Sequence, residues 1–226
     1  MRLVFASNNA HKLDEVRAIM PAGIDVLSLR DIGFEAEIAE TGTTLEENSR
    51  IKASTVAAFI AENGKWKTER LGGVFADDTG LEIDALGGKP GVYTARWYLF
   101  NDGMSAASPL NDEMMVFAAN RKKALRELEG KTDRGAQFRT VITLIRFKST
   151  DRFQVDLSVQ GTDIQVEGVV RGRIATEEYG EGGFGYDPVF IPEGYDKTFG
   201  ELPAEVKNGI SHRSRALAAL VKTLNG

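Results

Sequence analysis

Two adjacent aspartates, Asp77 and Asp78, are the residues whose types and spacing indicate the clearest chemistry in this sequence. They follow the apolar residues 73–76, which predict a buried strand. Neighbouring carboxylates at that place repel each other and lose hydration, so a cation or hydrogen-bond donors must neutralise them. Their hard oxygen atoms suit Mg²⁺, which proteins bind through one or two carboxylates together with phosphate groups. Gly80 permits a sharp turn, and the pattern favours a cation site over an acidic turn capped by Thr79.

A second candidate is a polar turn between a predicted strand and a predicted helix. It consists of Ser7, Asn8, Asn9, Ala10, His11 and Lys12. A helix N-terminus carries free N–H groups and the positive end of the helix dipole, which together bind anions. Lys12 falls in the first helical turn, where the dipole disfavours a cation unless an anion compensates it. The residues alone leave phosphate binding and a simple helix cap equally open.

A glycine-rich segment at residues 180–188 matches the pattern Gly-x-Gly-x-x-Gly. In dinucleotide-binding proteins this pattern opens a helix, which the run Tyr186-Asp187-Pro188 cannot do, so that function is rejected. The glycines would instead let the backbone approach a ligand closely, while Phe184 or Tyr186 stacks on a flat ring. An aromatic side chain packed in an ordinary loop is an equally good interpretation.

A basic segment near the end of the sequence runs from Lys207 to Arg215. Ser211 predicts the N-cap of a last helix, which places His212 and Arg213 in its first turn, where the dipole again disfavours cations. Arginine supplies donors without acceptors and suits a carbonyl oxygen or a phosphate. A basic surface cluster explains the segment equally well.

Composition excludes several classes of function. The chain has 226 residues and a net charge of −5, which makes nucleic acid a poor candidate partner. It has no cysteine and only two histidines, His11 and His212, so thiolate catalysis, cysteine-ligated zinc and a His-Glu-x-x-His site are excluded. Because no apolar run approaches the length of a membrane span and the first apolar stretch ends at Ser7, we expect a soluble, cytoplasmic protein without membrane contact.

The predicted elements alternate between strands and helices early in the chain, and strands cluster later. Predicted strands cover residues 2–6, 25–29, 73–76, 81–85, 137–147, 153–159 and 165–170. Predicted helices follow the cap at residues 7–9 and cover residues 44–62, 111–129 and 212–224, the second of them opened by a capping box at Thr44 and Glu47. This order predicts an α/β fold with a mixed, twisted central sheet and flanking helices. We expect residues 1–226 to form a single domain with two lobes around a substrate cleft.

The set and order of these motifs resemble the inosine triphosphatase family, the pyrophosphatases that remove noncanonical purine nucleoside triphosphates. The resemblance extends over essentially the whole chain. The matching blocks are Asn9-x-x-Lys12, Glu40-Thr41-Gly42, Glu47-Asn48, Lys52-Ala53, Ala76-Asp77-Asp78-Thr79-Gly80-Leu81, Leu86-Gly87-Gly88-x-Pro90-Gly91-Val92-Tyr93-x-Ala95-Arg96, Gly182-Gly183-Phe184-Gly185-Tyr186-Asp187-Pro188-x-Phe190 and Ser211-His212-Arg213-x-x-Ala216-Leu217.

The resemblance implies hydrolysis of the α–β phosphate bond of ITP, dITP and XTP, with Mg²⁺ as cofactor and a homodimer as the assembly. It implies a metal site at Glu40, Asp77 and Asp78, and it makes Asp78 the catalytic general base. By position, the implied triphosphate-binding residues are Ser7, Asn8, Asn9, Ala10, His11, Lys12 and Lys52. The implied base-binding residues are Thr79, Phe184, Gly185, Tyr186, Asp187, Lys207, His212 and Arg213.

The chain departs from the family at two positions of the polar turn. Ser7 stands where threonine is usual, and Asn8 stands where glycine is usual. Apart from the resemblance, the local sequence around Glu40 and Lys52 indicates only solvated side chains. Two other functions stay open: a pyrophosphatase for other modified or pyrimidine nucleotides, and a non-catalytic protein that binds ITP without releasing pyrophosphate.

Overall fold

The computed structural model describes residues 1–63, 70–101, 104–105, 110–147 and 163–225 of the chain. The α-helices within them are α1 (Ala10–Ile19), α2 (Leu45–Glu62), α3 (Glu113–Glu127), α4 (Ala204–Ile210) and α5 (His212–Asn225). The strands are β1 (Arg2–Phe5), β2 (Asp25–Leu27), β3 (Leu71–Ile83), β4 (Lys89–Gly91), β5 (Phe100–Asn101), β6 (Met104–Ser105), β7 (Gly135–Arg146), β8 (Asp163–Ile174) and β9 (Phe190–Pro192). Short 3₁₀ helices cover Asp84–Leu86, Thr94–Leu99 and Asp187–Val189. None of the helices in these ranges is long and apolar enough to cross a membrane.

Seven of the strands named above form one mixed sheet, and the predicted α/β class is therefore confirmed. Its order is β2-β1-β3-β7-β8-β9, with β4 paired to β3 off this path. β1 is parallel to β2 and to β3, whereas β4 is antiparallel to β3 and β9 is antiparallel to β8. β5 and β6 form a separate antiparallel pair. The predicted strand at residues 153–159 lies outside the described residues.

The chain divides into two compact units. The first contains Met1–Asp78, Thr140–Gly168 and Arg213–Gly226, and the second contains Thr79–Arg139 and Val169–His212. Since the boundaries fall within β3, β7 and β8, each of these strands contributes residues to both units. The predicted substrate cleft stays a prediction.

The core of the first unit follows from the two-residue period of its strands. Val4 of β1 and Ala76 of β3 pack with the apolar face of α2, which includes Val56. The alternate residues Phe5 and Phe75 stack on each other with ring centroids 5.0 Å apart and pack with residues of α1 and α5. Both faces of the parallel strands are thus covered, as parallel pairing requires.

The predicted capping box of α2 is confirmed at its first half. Thr44 is the N-cap, and its side chain accepts a hydrogen bond from the Glu47 N–H at 3.1 Å. The Glu47 carboxylate accepts from the backbone N–H of Thr43, at 2.6 Å, and from its hydroxyl. The residue before the cap therefore supplies the donors that a capping box would take from the cap itself.

One predicted boundary is wrong. The sequence predicted two strands separated by an acidic turn, but β3 runs unbroken through Asp77 and Asp78. Cationic side chains neutralise both carboxylates where they stand, so the chain needs no turn to expose them. Gly80 does not adopt a positive φ. The last helix begins at His212 as predicted, whereas α4 was not predicted.

The second unit packs around the far end of β3. Leu81 and Ile83 contact a cluster that includes Trp97, Phe138 of β7 and Tyr186, all buried. Ala124 of helix α3 and Leu128, the C-cap of that helix, belong to the same cluster. This packing anchors the glycine-rich segment of the sequence, because Tyr186 and the residues after it are part of the core.

Candidate functional site

Asp77 and Asp78 point toward different helices because they are consecutive residues of one strand. Successive side chains of a strand face opposite sides, so Asp77 shares a face with Phe75 and Asp78 shares a face with Ala76. Phe75 packs on the side of α1 and α5, and Ala76 packs on the side of α2. The two carboxylates accordingly have different partners, although they are adjacent in sequence.

Asp77 accepts hydrogen bonds from two cations. Its Oδ1 accepts from Lys12 Nζ at 3.0 Å, and its Oδ2 accepts from Arg213 Nε at 3.2 Å. Only 1% of the Asp77 surface is exposed. Burial alone would raise the pKa of Asp77, but Lys12 and Arg213 outweigh it and hold the pKa well below its ordinary value. Asp77 is therefore ionised at neutral pH.

Arg213 connects this group back to α1. Its guanidinium is fully buried and donates both to Asp77 and, through Nη1, to the Glu15 carboxylate. Glu15 lies three residues after Lys12 on α1, so both face the same side of that helix. Two acids and two bases thus alternate in the order Lys12, Asp77, Arg213, Glu15, and their formal charges cancel.

Asp78 belongs to a second group, built on α2. Lys52 Nζ donates to Asp78 Oδ1 and to Glu40 Oε1, in both cases at 2.8 Å. Burial raises the pKa of Asp78, and the attraction of Lys52 offsets this only in part. For Lys52, burial would lower the pKa, but Asp78 and Glu40 outweigh it, so its pKa is raised. The pair is ionic, with a carboxylate that is more basic than an ordinary aspartate.

Asn48 was not among the predicted site residues, but it ties this group together. Its Nδ2 donates to Asp78 Oδ2 at 3.4 Å, and its Oδ1 accepts from the Gly42 N–H at 2.8 Å. Asn48 stands four residues before Lys52, which places both on one face of α2. That spacing was the sequence signal that could have identified it. Glu15, spaced three residues from Lys12, carried a similar signal.

The polar turn before α1 forms as predicted, with Asn9 as the N-cap. Its side-chain oxygen accepts from the Lys12 N–H at 2.9 Å, and its own N–H donates to Ser7 Oγ at 3.2 Å. Asn8, Ala10 and His11 are exposed. Burial lowers the pKa of Lys12, and Asp77 opposes that shift. Asp77 is thus one anion that compensates Lys12 against the helix dipole.

The second unit contains the other predicted residues, and two of them, Phe184 and Lys207, contact Asp187. Its Oδ2 accepts from Lys207 Nζ and from the Phe184 N–H, each at 2.7 Å. The Lys207 ammonium lies 4.8 Å from the centre of the Phe184 ring, a cation–π distance. Gly183 has φ of +73°, and a Cβ there would come within 2.1 Å of Asp187 Oδ2. Only glycine fits at this close approach.

The remaining predicted residues of this unit differ in exposure. Tyr186 is buried, and its hydroxyl donates to the Thr94 carbonyl at 3.1 Å, whereas the Phe184 ring is partly exposed. Burial raises the pKa of Tyr186 well above its ordinary value. His212 is buried with its ring centre 4.8 Å from that of Phe138. Thr79 and Gly185 are partly exposed. Of the residues available to stack on a flat ring, Phe184 fits better than Tyr186.

The donor set is suitable for a magnesium ion. Within the described residues no group of three or more His, Asp or Glu side chains could hold a metal by itself. Glu40 and Asp78 nevertheless direct one oxygen each to a single cationic atom, Lys52 Nζ. Two carboxylates completed by phosphate oxygens are a usual Mg²⁺ environment. Asp77, which already serves two cations, is the weakest of the three predicted ligands.

The chain is similar to known proteins in family, in sequence and in structure. Residues 3–223 match the Ham1 family. A protein of Flavobacterium johnsoniae called dITP/XTP pyrophosphatase is 40% identical over 225 residues, which cover 99% of this chain and 98% of the relative. A Bacillus subtilis protein of the same name is 42% identical over 225 residues, covering 98% of this chain and 96% of the relative.

Two solved structures extend the similarity to the fold. The Ham1 protein of Staphylococcus aureus has a TM-score of 0.73 at 34% identity, covering 100% of this chain and 99% of its own. The HAM1 protein of Coxiella burnetii has a TM-score of 0.75 at 32% identity, covering 100% and 98%. The mixed α/β fold and the resemblance to pyrophosphatases of noncanonical purine nucleotides are both confirmed by these matches.

Proposed function

Because the chain belongs to the Ham1 family, we propose that it hydrolyses the α–β phosphate bond of ITP, dITP and XTP, with Mg²⁺ as cofactor. The products would be a nucleoside monophosphate and pyrophosphate. One observation carries the proposal: two lysines on two helices, Lys12 and Lys52, bind two consecutive aspartates of one strand. This arrangement places two ammonium groups beside consecutive positions of one strand, where a triphosphate can share them with the carboxylates.

Asp78 is the general base in this proposal. Burial raises its pKa, so the ionised form accepts a proton more readily than an ordinary aspartate. Asp78 takes the proton of the attacking water, while Lys52 keeps the carboxylate ionised and orients it. Glu40 and Asp78 would hold Mg²⁺, which when bound supplies Lewis acidity toward phosphate oxygens.

Lys12 and Lys52 bind the triphosphate end. Each is paired with a carboxylate, and a triphosphate carries enough negative charge to share both ammonium groups. The N–H groups at the start of α1 add the positive end of a helix dipole. Together these cations stabilise the charge that develops on the pyrophosphate leaving group.

The group around Asp187 recognises the base. Phe184 offers a partly exposed ring for stacking, and Lys207 is held beside it by Asp187. A hydrogen-bond donor of this group, such as the Lys207 ammonium, favours a 6-oxo purine, because a 6-amino group would leave that donor unpaired. Sites of that kind can discriminate by roughly 10⁴-fold. A homodimer and a cytoplasmic location remain predictions from the sequence.

The test is a product assay across a panel of nucleoside triphosphates with and without Mg²⁺. We expect IMP and pyrophosphate from ITP, comparable rates with dITP and XTP, and far lower rates with dTTP and with ATP, which has a 6-amino group. Equal rates with ITP and GTP would contradict a restriction to noncanonical purines. Release of IDP and inorganic phosphate would contradict the proposed bond. Faster turnover of dTTP would favour a pyrimidine nucleotide pyrophosphatase. ITP binding without any product would favour a non-catalytic nucleotide-binding protein.

A further inference from the structure

Arg121 contacts the glycine-rich segment of the second unit, although no motif in the sequence includes it. Its Nη1 donates to the Gly185 carbonyl, and its Nε donates to Glu178 Oε2, both at 2.9 Å. Only 12% of the Arg121 side chain is exposed, whereas the carboxylate side chain of Glu178 is 40% exposed. One guanidinium therefore bridges two points of the chain that flank the segment containing Phe184.

Helix α3 makes a second contact to the same segment. Phe117 lies four residues before Arg121, on the same face of the helix, and its ring centre is 6.2 Å from that of Phe184. The ring and the backbone of the Phe184–Gly185 pair are thus both in contact with α3. Gly185 has φ of +63°. Because glycine adopts positive and negative φ about equally well, a contact from outside the segment helps to fix this peptide in one conformation.

The helix itself is a fixed base for these contacts. Buried Asn120 accepts from the Tyr98 N–H at 2.8 Å and donates to the Ala95 carbonyl at 3.0 Å. Buried Lys123 donates to the Trp97 carbonyl at 3.0 Å. Asn120 and Lys123 thus anchor α3 to the backbone of the 3₁₀ segment Thr94–Leu99, and this fixes the helix backbone from which the Arg121 side chain extends.

We propose that Arg121 is a positioning residue that fixes the Phe184–Gly185 backbone and thereby sets recognition of the nucleotide base. This inference rests on the base-binding role proposed for Phe184. The planar fork of arginine can serve the Gly185 carbonyl and the Glu178 carboxylate together, which the single ammonium of a lysine cannot do at the same two angles. Arg121 acts through the segment and is not a catalytic residue.

The test compares Arg121→Ala with Lys122→Ala, a matched control that removes an exposed cation from the neighbouring position of the same helix. In Arg121→Ala we expect the KM for ITP to rise about tenfold, the magnitude of one hydrogen bond from a charged group, with kcat within about twofold. The inhibition constant of inorganic tripolyphosphate, which has the phosphates but no base, should not change. Arg121→Lys should recover part of the lost affinity for ITP.

Equal rises in the KM for ITP and in the inhibition constant of tripolyphosphate would overturn the inference, because they would indicate a general disturbance. An unchanged KM for ITP would also overturn it. Hydrogen–deuterium exchange separates this inference from the proposed function. Faster exchange of the amides at residues 183–187 in Arg121→Ala, with the control unaffected, supports the positioning role even if wild type does not hydrolyse ITP, and unchanged exchange contradicts it.

Discussion

At the scale of single residues, the two aspartates of β3 have different electrostatic environments because they lie on opposite faces of the strand. Asp77 is saturated by Lys12 and Arg213, and its lowered pKa keeps it charged under all ordinary conditions. Asp78 has a raised pKa and a lysine that also binds Glu40. A group that must exchange a proton needs the second environment, and a group that must hold cations in place needs the first.

Replacement of Asp78 tests this division directly. Asp78→Asn should lower kcat for ITP by about 10²- to 10⁴-fold, the usual contribution of a general base, and should keep most of the affinity for ITP. Steady-state kinetics and a direct ITP binding titration give the two numbers. Asp84→Asn, at an exposed aspartate that pairs with Arg171, is the matched control. An unchanged kcat in Asp78→Asn would remove Asp78 from the mechanism.

The charge of Asp77 should contribute to the free energy of unfolding in a pH-dependent way. Its pKa in the folded protein is lowered, so its charge stabilises the fold above the ordinary aspartate pKa of about 3.9, and this stabilisation is lost as the pH falls through the lower folded-state value. Breaking the buried pairs with Asp77→Asn should cost about 3–5 kcal/mol at pH 6.

The measurement is urea unfolding of wild type and Asp77→Asn, in EDTA, between pH 6 and pH 3. The difference in free energy of unfolding between the two proteins should shrink below about pH 4. A difference that is constant over this range would mean that ionisation of Asp77 does not stabilise the fold.

At the scale of elements, α1 presents Lys12 to the site through its first turn, with Asn9 as the N-cap. Lys12→Ala should therefore raise both the KM for ITP and the inhibition constant of tripolyphosphate, by about 10- to 100-fold, because both ligands carry the phosphates that we propose Lys12 binds. This differs from Arg121→Ala, where only ITP should respond. If tripolyphosphate binds equally well to Lys12→Ala and to the Lys122→Ala control, Lys12 does not hold phosphate.

Helix α2 contributes through the contact between Asn48 and Gly42, which holds the segment carrying Glu40. A Cβ at Gly42 would lie 2.7 Å from Asn48 Oδ1 and 2.7 Å from Glu47 Cβ, so Gly42→Ala must displace this segment. If Glu40 holds Mg²⁺, the Mg²⁺ concentration for half-maximal activity should rise by about tenfold, roughly the loss of one ligand contact. Gly209→Ala is a suitable control, since nothing lies within 4 Å of a Cβ there. Identical Mg²⁺ dependence in both variants would argue against Glu40 as a ligand.

The limits of prediction from sequence also lie at this scale. Apolar periodicity located β1, α2 and the last helix, because those elements bury one regular face. It failed at β3, where consecutive carboxylates suggested a break and distant cations made one unnecessary. The partners of Asp77 are 65 and 136 residues away in sequence, and no local pattern encodes such pairings. Arg213, expected at the base, binds Asp77 and Glu15 for this reason.

At the scale of the whole molecule, each of the two units has its own apolar core, and we expect the fold to be stable without a metal. The buried clusters of both units are aliphatic and aromatic, and in the described ranges no set of three acidic or histidine side chains forms a closed metal site. A metal that is held by two carboxylates and completed by phosphates should bind weakly alone and strongly with its anion. The free energy of unfolding should therefore rise when Mg²⁺ and a phosphate anion are added together, and should change little when a chelator removes the metal.

Thermal unfolding measures how the metal and the phosphate anion each affect the stability of the fold. EDTA should abolish ITP hydrolysis but shift Tm by no more than about 1 °C, and Mg²⁺ alone should have a similarly small effect. Mg²⁺ with tripolyphosphate at about 100 times its dissociation constant should stabilise the fold by about 2.7 kcal/mol, which corresponds to roughly 5–10 °C in a protein of this size. Lys12→Ala should reduce that shift, whereas Lys122→Ala should not. Loss of the folded state in EDTA would instead assign the metal a structural role, and an equal shift with tripolyphosphate alone would remove Mg²⁺ from phosphate binding.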